Sequence, residues 1–172
     1  MERFQLTADL LTGIADIDDQ HRKLLELANR VVNPSAIRSD APMFDEALKF
    51  LEEYVIYHFA AEEYAMAEFG YPNEIHHHQL HSNFRDDVAA FVAQAFREGV
   101  SKDLRLKVSF AIENWFLEHI RITDHDLANF LKQQGRAASV RLPDVRILKE
   151  ARRLPEDFNE EEIHFADLVP RP

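Results

Sequence analysis

Glycine and proline break this chain in very few places, and this constrains its fold more than any other feature. Gly13, Pro34, Pro42, Gly70, Pro72, Gly99 and Gly135 divide the first 135 residues into four helix-length stretches. Within each stretch apolar side chains recur every three or four positions, the period of an amphipathic α-helix. The first helix is expected over roughly 18–32, with Ile17, Leu24, Leu25, Ala28, Val31 and Val32 on one stripe and Asn33-Pro34-Ser35 ending it. The second, over 41–69, carries Phe44, Ala47, Leu48, Leu51, Tyr54 and Val55, and Gly70 stops it as a glycine just past a helix end does. The third starts near Pro72, where proline suits a first turn, and buries Phe84, Val88, Phe91, Val92 and Ala95 before Gly99. Ser101 caps the fourth, over 102–134, whose Val108, Ile112, Trp115, His119 and Ile122 are spaced 4, 3, 4 and 3. Four such helices with short connections predict an all-α, antiparallel up-down-up-down four-helix bundle over residues 1–135.

Residues 136–172 differ in charge pattern. Positions 136–153 carry six Lys or Arg against two acids, and 154–172 carry six acids against one Arg. Leu142, Val145, Ile147, Leu148, Phe158, Ile163, Phe165 and Leu168 retain apolar surface. This stretch is read as a C-terminal extension packed on the bundle or used for a protein partner.

Composition excludes several chemistries. Lys and Arg total 20 against 31 Asp and Glu, a net charge of −11, so neither nucleic acid nor an anionic membrane is an expected partner. With no cysteine there are no disulfides, Fe–S clusters, thiolate metal sites or cysteine nucleophiles. No phosphate-cradling glycine motif appears. No apolar run approaches the roughly 18 residues of a membrane span, and the N-terminus lacks a signal-peptide pattern, so a cytoplasmic location is expected.

The nine histidines carry the chemistry. His21 lies on the first stripe, His58 and Glu62 on the second, His77 and His81 on the third, and His119 and Asp124 on the fourth. The i, i+4 pairs lie one turn apart on one face, so two side chains can close on one metal. Burying five imidazoles and two carboxylates in an apolar core is costly without a partner. A donor set of N and O without sulfur suits iron, manganese or zinc, and seven ligands suit two metals with the carboxylates bridging. Asp124 is irregular. At i+5 from His119 it falls about 140° round an ideal helix, so a local π-bulge is expected there. His76, His78, His125 and His164 are read as solvated. Glu63 is read as an outer-face residue, with support of a ligand as the lesser alternative. Phe59, Phe84, Trp115 and Phe116 are mainly core, and also candidate walls of the metal pocket.

These residues give the chain its resemblance to the hemerythrin family, and to the bacterial hemerythrins within it. The stretch from Gly13-Ile14 to Ile17-Asp18-Asp19-Gln20-His21 resembles the family's first-ligand motif. His58-Phe59-Ala60-Ala61-Glu62-Glu63 resembles its HFxxEE motif, and Gly70-Tyr71-Pro72 with His77-xxx-His81 its third. Trp115-xxx-His119-xxxx-Asp124 resembles its fourth, so the match covers roughly residues 10–132. The resemblance implies a non-haem di-iron centre. His77, His81 and His119 would hold one iron, and His21 and His58 the other. Glu62 and Asp124 would bridge them together with an oxo or hydroxo group, and dioxygen would bind at the open position of the second iron. Phe59, Trp115 and Phe116 would line the O2 pocket. Phe116 departs from the pattern, standing where the family leads one to expect leucine. Leu10 and Leu11 stand where a tryptophan is common.

The expected function is therefore reversible O2 binding for storage, transport or sensing, rather than enzymatic turnover. The alternatives are a module that senses O2, nitric oxide, redox state or iron and signals through the extension, and a di-iron peroxidase or nitric-oxide-reducing enzyme. A ferritin-like iron oxidase is disfavoured, because those sites use Glu-rich ligands with ExxH spacing.

Overall fold

A computed structural model describes residues 4–32 and 41–134, with side chains in the second stretch described from residue 47 onward. The reading of residues 136–172, His164 included, lies outside the described residues. A short 3₁₀ turn at Ala8–Leu10 precedes α1 (Ala15–Val32), α2 (Ala41–Phe69) and α3 (Glu74–Glu98). The fourth helical column is composite. It runs as α4 (Lys102–Ala111), a π turn (Ile112–Phe116), α5 (Leu117–His119), a second π turn (Ile120–Asp124) and α6 (His125–Gln133). α1 packs on α2 and α4, and α3 packs on α2 and α4, which closes the four columns into a bundle.

The helix ends follow from local chemistry. α1 begins three residues before the expected Asp18 because that residue caps the helix from inside its first turn. The Asp18 carboxylate accepts from the Thr12 amide (2.7 Å), the Thr12 hydroxyl (2.7 Å) and the Gly13 amide (3.0 Å). Gly13 has φ +75°, and a Cβ there would meet Lys132 Nζ at 2.9 Å. Lys132 in turn donates to the Thr12 carbonyl, tying the entry of α1 to α6. α3 begins at Glu74 rather than near Pro72, because Tyr71 to Glu74 form a turn in which the Glu74 amide donates to the Tyr71 carbonyl at 3.2 Å. Ser101 caps α4 as expected, its hydroxyl accepting from the Leu104 amide at 3.0 Å.

Two apolar clusters fill the interior. The larger includes Leu24, Tyr54, Phe59, Val88, Leu104 and Ile120; the smaller holds Ile14, Ile17, Met66, Tyr71, Leu127, Ala128 and Leu131. Along α1, α2 and the fourth column the switch from one cluster to the other is marked by buried His21, Glu62 and Asp124, and His77 and His81 of α3 lie between Tyr71 of the smaller cluster and Phe84 of the larger. A polar layer is thus sandwiched between two apolar ones. Truncating a fully enclosed side chain beside it, such as Leu24, costs about 2–5 kcal/mol. Among the described residues, no helix is long and apolar enough to cross a membrane.

The second π turn corrects one expectation and bears out another. Ile122 was placed on the core stripe, but it is 53% exposed. The His125 amide reaches back five residues to the Ile120 carbonyl, and the extra residue turns Ile122 outward and Asp124 fully inward. The widening expected between His119 and Asp124 is therefore present. The turn at Ile112–Phe116, where the Leu117 amide donates to the Ile112 carbonyl, has no counterpart in the sequence reading.

Candidate metal centre

The seven residues singled out from helical spacing converge at one depth of the bundle. All are 4% exposed or less, and most are fully enclosed. Their donor atoms form two overlapping groups. Glu62, His77, His81, His119 and Asp124 make one, and His21, His58, Glu62 and Asp124 make the other, with the donor atoms in each within 4.8 Å of one another. Both carboxylates belong to both groups.

Distances show how the carboxylates divide. Asp124 Oδ1 lies 3.1 Å from His119 Nε2 and 3.3 Å from His77 Nε2, whereas its Oδ2 lies 3.1 Å from His21 Nε2. Glu62 Oε2 lies 3.3 Å from His81 Nε2, 3.6 Å from His77 Nε2 and 3.8 Å from His58 Nε2. The three imidazoles of the first group also crowd together, with His119 Nε2 at 3.0 Å from His81 Nε2 and 3.2 Å from His77 Nε2.

Such an arrangement is unfavourable unless a cation sits among these atoms. His21 Nε2, His58 Nε2 and all four oxygens of Glu62 and Asp124 are buried with no hydrogen-bond partner. Unpaired buried polar atoms of this kind each cost free energy, and native interiors hold few of them. Histidine nitrogens and carboxylate oxygens, without sulfur, form a donor set that suits a first-row transition metal. The residues therefore fit a metal.

Electrostatics point the same way. Burial and the neighbouring Asp124 push the Glu62 carboxyl up, but His58, His77 and His81 outweigh them and leave it below its ordinary value. Burial likewise opposes the Asp124 charge, and His119, His21 and His77 pull that carboxyl well down. Burial lowers His58 to about 3, so its imidazole is neutral, with Nε2 free to donate a lone pair. His77 goes the other way. Its burial is outweighed by the close Asp124 and Glu62 carboxylates, which raise it to about 9.

Behind the inner residues lie supports that the sequence reading missed or misplaced. Glu63, read as an outer-face residue, is 5% exposed and accepts from His81 Nδ1 at 3.1 Å. Arg85 holds it with a 2.9 Å ion pair, and His78 Nε2 lies 3.6 Å from its other oxygen. The signal was present: Phe59, Glu63 and Met66 are spaced 4 and 3, and both apolar members are fully buried. Gln20, a member of the first-ligand motif with no role expected of it, has its Oε1 2.8 Å from His58 Nδ1. It too sits on an inward stripe, between Ile17 and Leu24.

Of the histidines read as solvated, His76 and His78 are exposed. His125 is instead half-buried, with Nε2 enclosed, because the π turn rotates the start of α6 inward. The aromatic walls are unequal. Phe59 stacks on His81 (centroids 3.7 Å apart, 3° between planes) and Trp115 on His119 (4.4 Å, 12°). Phe116 instead presents its edge to His21 at 6.2 Å, against the two-histidine group. The outer side of Trp115 lines a surface groove of about 570 Å³ together with Phe91, Leu106 and Phe110.

Comparison with known proteins gives a consistent result. Residues 12–131 match the family model described as the hemerythrin HHE cation binding domain. A bacteriohemerythrin of Stenotrophomonas maltophilia is 33% identical over 126 residues, covering 72% of this chain and 78% of that protein. A bacteriohemerythrin of Pseudomonas aeruginosa is 30% identical over 116 residues (67% and 73%), and a hemerythrin-like protein of Naegleria gruberi 28% over 121 (70% and 87%). Among solved structures, a hemerythrin leucine-to-tyrosine variant superposes with a TM-score of 0.67 at 23% identity, covering 76% of this chain and 98% of that one.

Proposed function

The chain belongs to the hemerythrin family, and from that premise we propose that it is a non-haem di-iron protein that binds dioxygen reversibly. The donor set alone admits iron, manganese or zinc; family membership selects iron. In this reading His77, His81 and His119 would hold one iron and His21 and His58 the other, with Glu62 and Asp124 available to both. The observation that carries it is the division of Asp124, one oxygen toward His119 and His77 and the other toward His21.

Bound there, an iron pair would supply the electrons that dioxygen binding requires. The protein's own residues do the rest. His21 and His58 leave their side one ligand short of the other. Phe116, 3% exposed and edge-on to His21, excludes water from that side and limits the size of what enters.

The test is an anaerobic O2 titration of reduced, iron-assayed protein, followed in the visible spectrum and reversed under argon. A new absorption band that disappears on deoxygenation supports the proposal. Direct conversion to the ferric form with no oxygenated species counts against it. A sensory role is a second reading, favoured by Trp115, whose ring joins the surface groove to His119. O2-dependent protease protection of residues 136–172 would support that role.

A further inference from the structure

The two ligand groups differ behind their histidines as well as in number. In the three-histidine group the outer partner is a carboxylate: Glu63 accepts from His81 Nδ1 at 3.1 Å. In the two-histidine group it is a neutral amide: Gln20 Oε1 lies 2.8 Å from His58 Nδ1. The outer nitrogens of His77 and His21 are buried with no hydrogen-bond partner, so neither adds to the contrast between the groups. Glu63 is itself held by a 2.9 Å ion pair with Arg85. An imidazole that donates to a carboxylate is a more basic and better oriented metal ligand than one that donates to an amide.

Resting on the two-metal reading above, we infer that Glu63, pinned by Arg85, is a positioning residue that makes the His77, His81 and His119 position the first of the two to take metal. The His21 and His58 position, backed by Gln20, then fills second and empties first. The bridging carboxylates are shared, so the difference arises from the histidines and their outer partners. The consequence is a graded response to iron supply. At low metal the protein carries one ion on the side away from Phe116, and it acquires the O2-binding position only when the second ion arrives.

The test uses the full-length, metal-free chain titrated with Co²⁺ against a competing chelator, with the visible Co²⁺ spectrum as readout. The parent chain should take two ions in separable steps. His58→Ala should keep the tight step, and His119→Ala should lose it. Glu63→Gln preserves a hydrogen-bond acceptor for His81 and removes only the charge. It should weaken the first step about 10- to 100-fold and leave the second within a few-fold. Gln20→Glu should do the converse, strengthening the second step and narrowing the gap. Equal weakening of both steps by Glu63→Gln, or no change in either, overturns the assignment even if two ions bind. Uptake of a single ion by the parent chain overturns the two-metal reading, and the assignment with it.

Discussion

Asp124 follows His119 by five residues, yet its Oδ1 lies 3.1 Å from His119 Nε2. An undistorted helix would carry that carboxylate about 140° away. The π turn at Ile120–Asp124 absorbs one residue and returns it to the face of the histidine. The carboxylate position therefore depends on backbone geometry as well as on residue type. Asp124→Ala is expected to lose most of the bound metal. Adding Thr123→Asp, which restores a carboxylate at the regular i+4 spacing, is not expected to recover it. Metal content by atomic emission decides, and full recovery in the double variant would show that the π turn is unimportant for the site.

Ligand and non-ligand histidines should separate cleanly. His58 and His119 are buried with their Nε2 atoms toward the carboxylates, whereas His76 and His78 are exposed. His58→Ala or His119→Ala should lose at least one of two irons per chain. His76→Ala and His78→Ala should retain both. Equal iron content in all four variants would refute the ligand set proposed above.

Much of this is legible in the sequence. His21, His58, Glu62, His77 and His81 all fall on stripes whose remaining members are apolar, so helical periodicity alone turns them toward one another. Asp124 was legible as an exception, since a carboxylate at i+5 demands a widened turn. Glu63 and Gln20 were harder to place, because a polar residue beside a ligand is usually solvated. α2 is buried on nearly all sides from Tyr57 to Glu63, so its second glutamate points into a neighbour instead of into water. Ile122 and His125 went astray for a single reason: the stripe of the fourth column was continued at 3.6 residues per turn through a segment that does not have that period.

Metal uptake should release a proton. In the metal-free site His77 holds its proton up to about 9, since Asp124 and Glu62 outweigh its burial. Glu62 and Asp124 are already ionised, and His58, lowered to about 3, is already neutral. Coordination requires unprotonated histidine. A proton bound only in the metal-free state makes metal affinity rise with pH up to the His77 value, by about tenfold per unit for that one proton. Loading near pH 7 should thus expel the His77 proton, and the yield should shrink by about one as pH is raised past 9. Proton release on Zn²⁺ addition, followed with an indicator dye, checks this. Equal release on both sides of pH 9 would remove His77 from that role.

The turn before α1 should control stability without contributing a ligand. Asp18 accepts three hydrogen bonds from Thr12 and Gly13, and all three donors lose their partner in Asp18→Ala. Losing bonds to a charged acceptor and leaving buried donors unpaired costs about 3 kcal/mol. The variant should unfold at lower denaturant concentration in the metal-free form. If it still takes up its metal when folded, the residue acts on the helix entry alone. Unchanged stability would mean that water replaces the cap.

Phe116 should set access to the side of the centre that lacks a third histidine. Its ring is 3% exposed, edge-on to His21 at 6.2 Å and nearly parallel to Phe84 at 6.2 Å, so it is held in place by packing. Phe116→Leu removes ring volume where the small molecule must enter. The lost packing should cost about 1 kcal/mol, a fall of roughly 2–4 °C in Tm for a chain of this size. The opened space should speed O2 association in stopped flow. It should also speed conversion of the oxygenated protein to the ferric form, because water reaches the centre through the same gap. A leucine variant with parental rates for both would place the entry route elsewhere, and the ring against His21 would then be core packing alone.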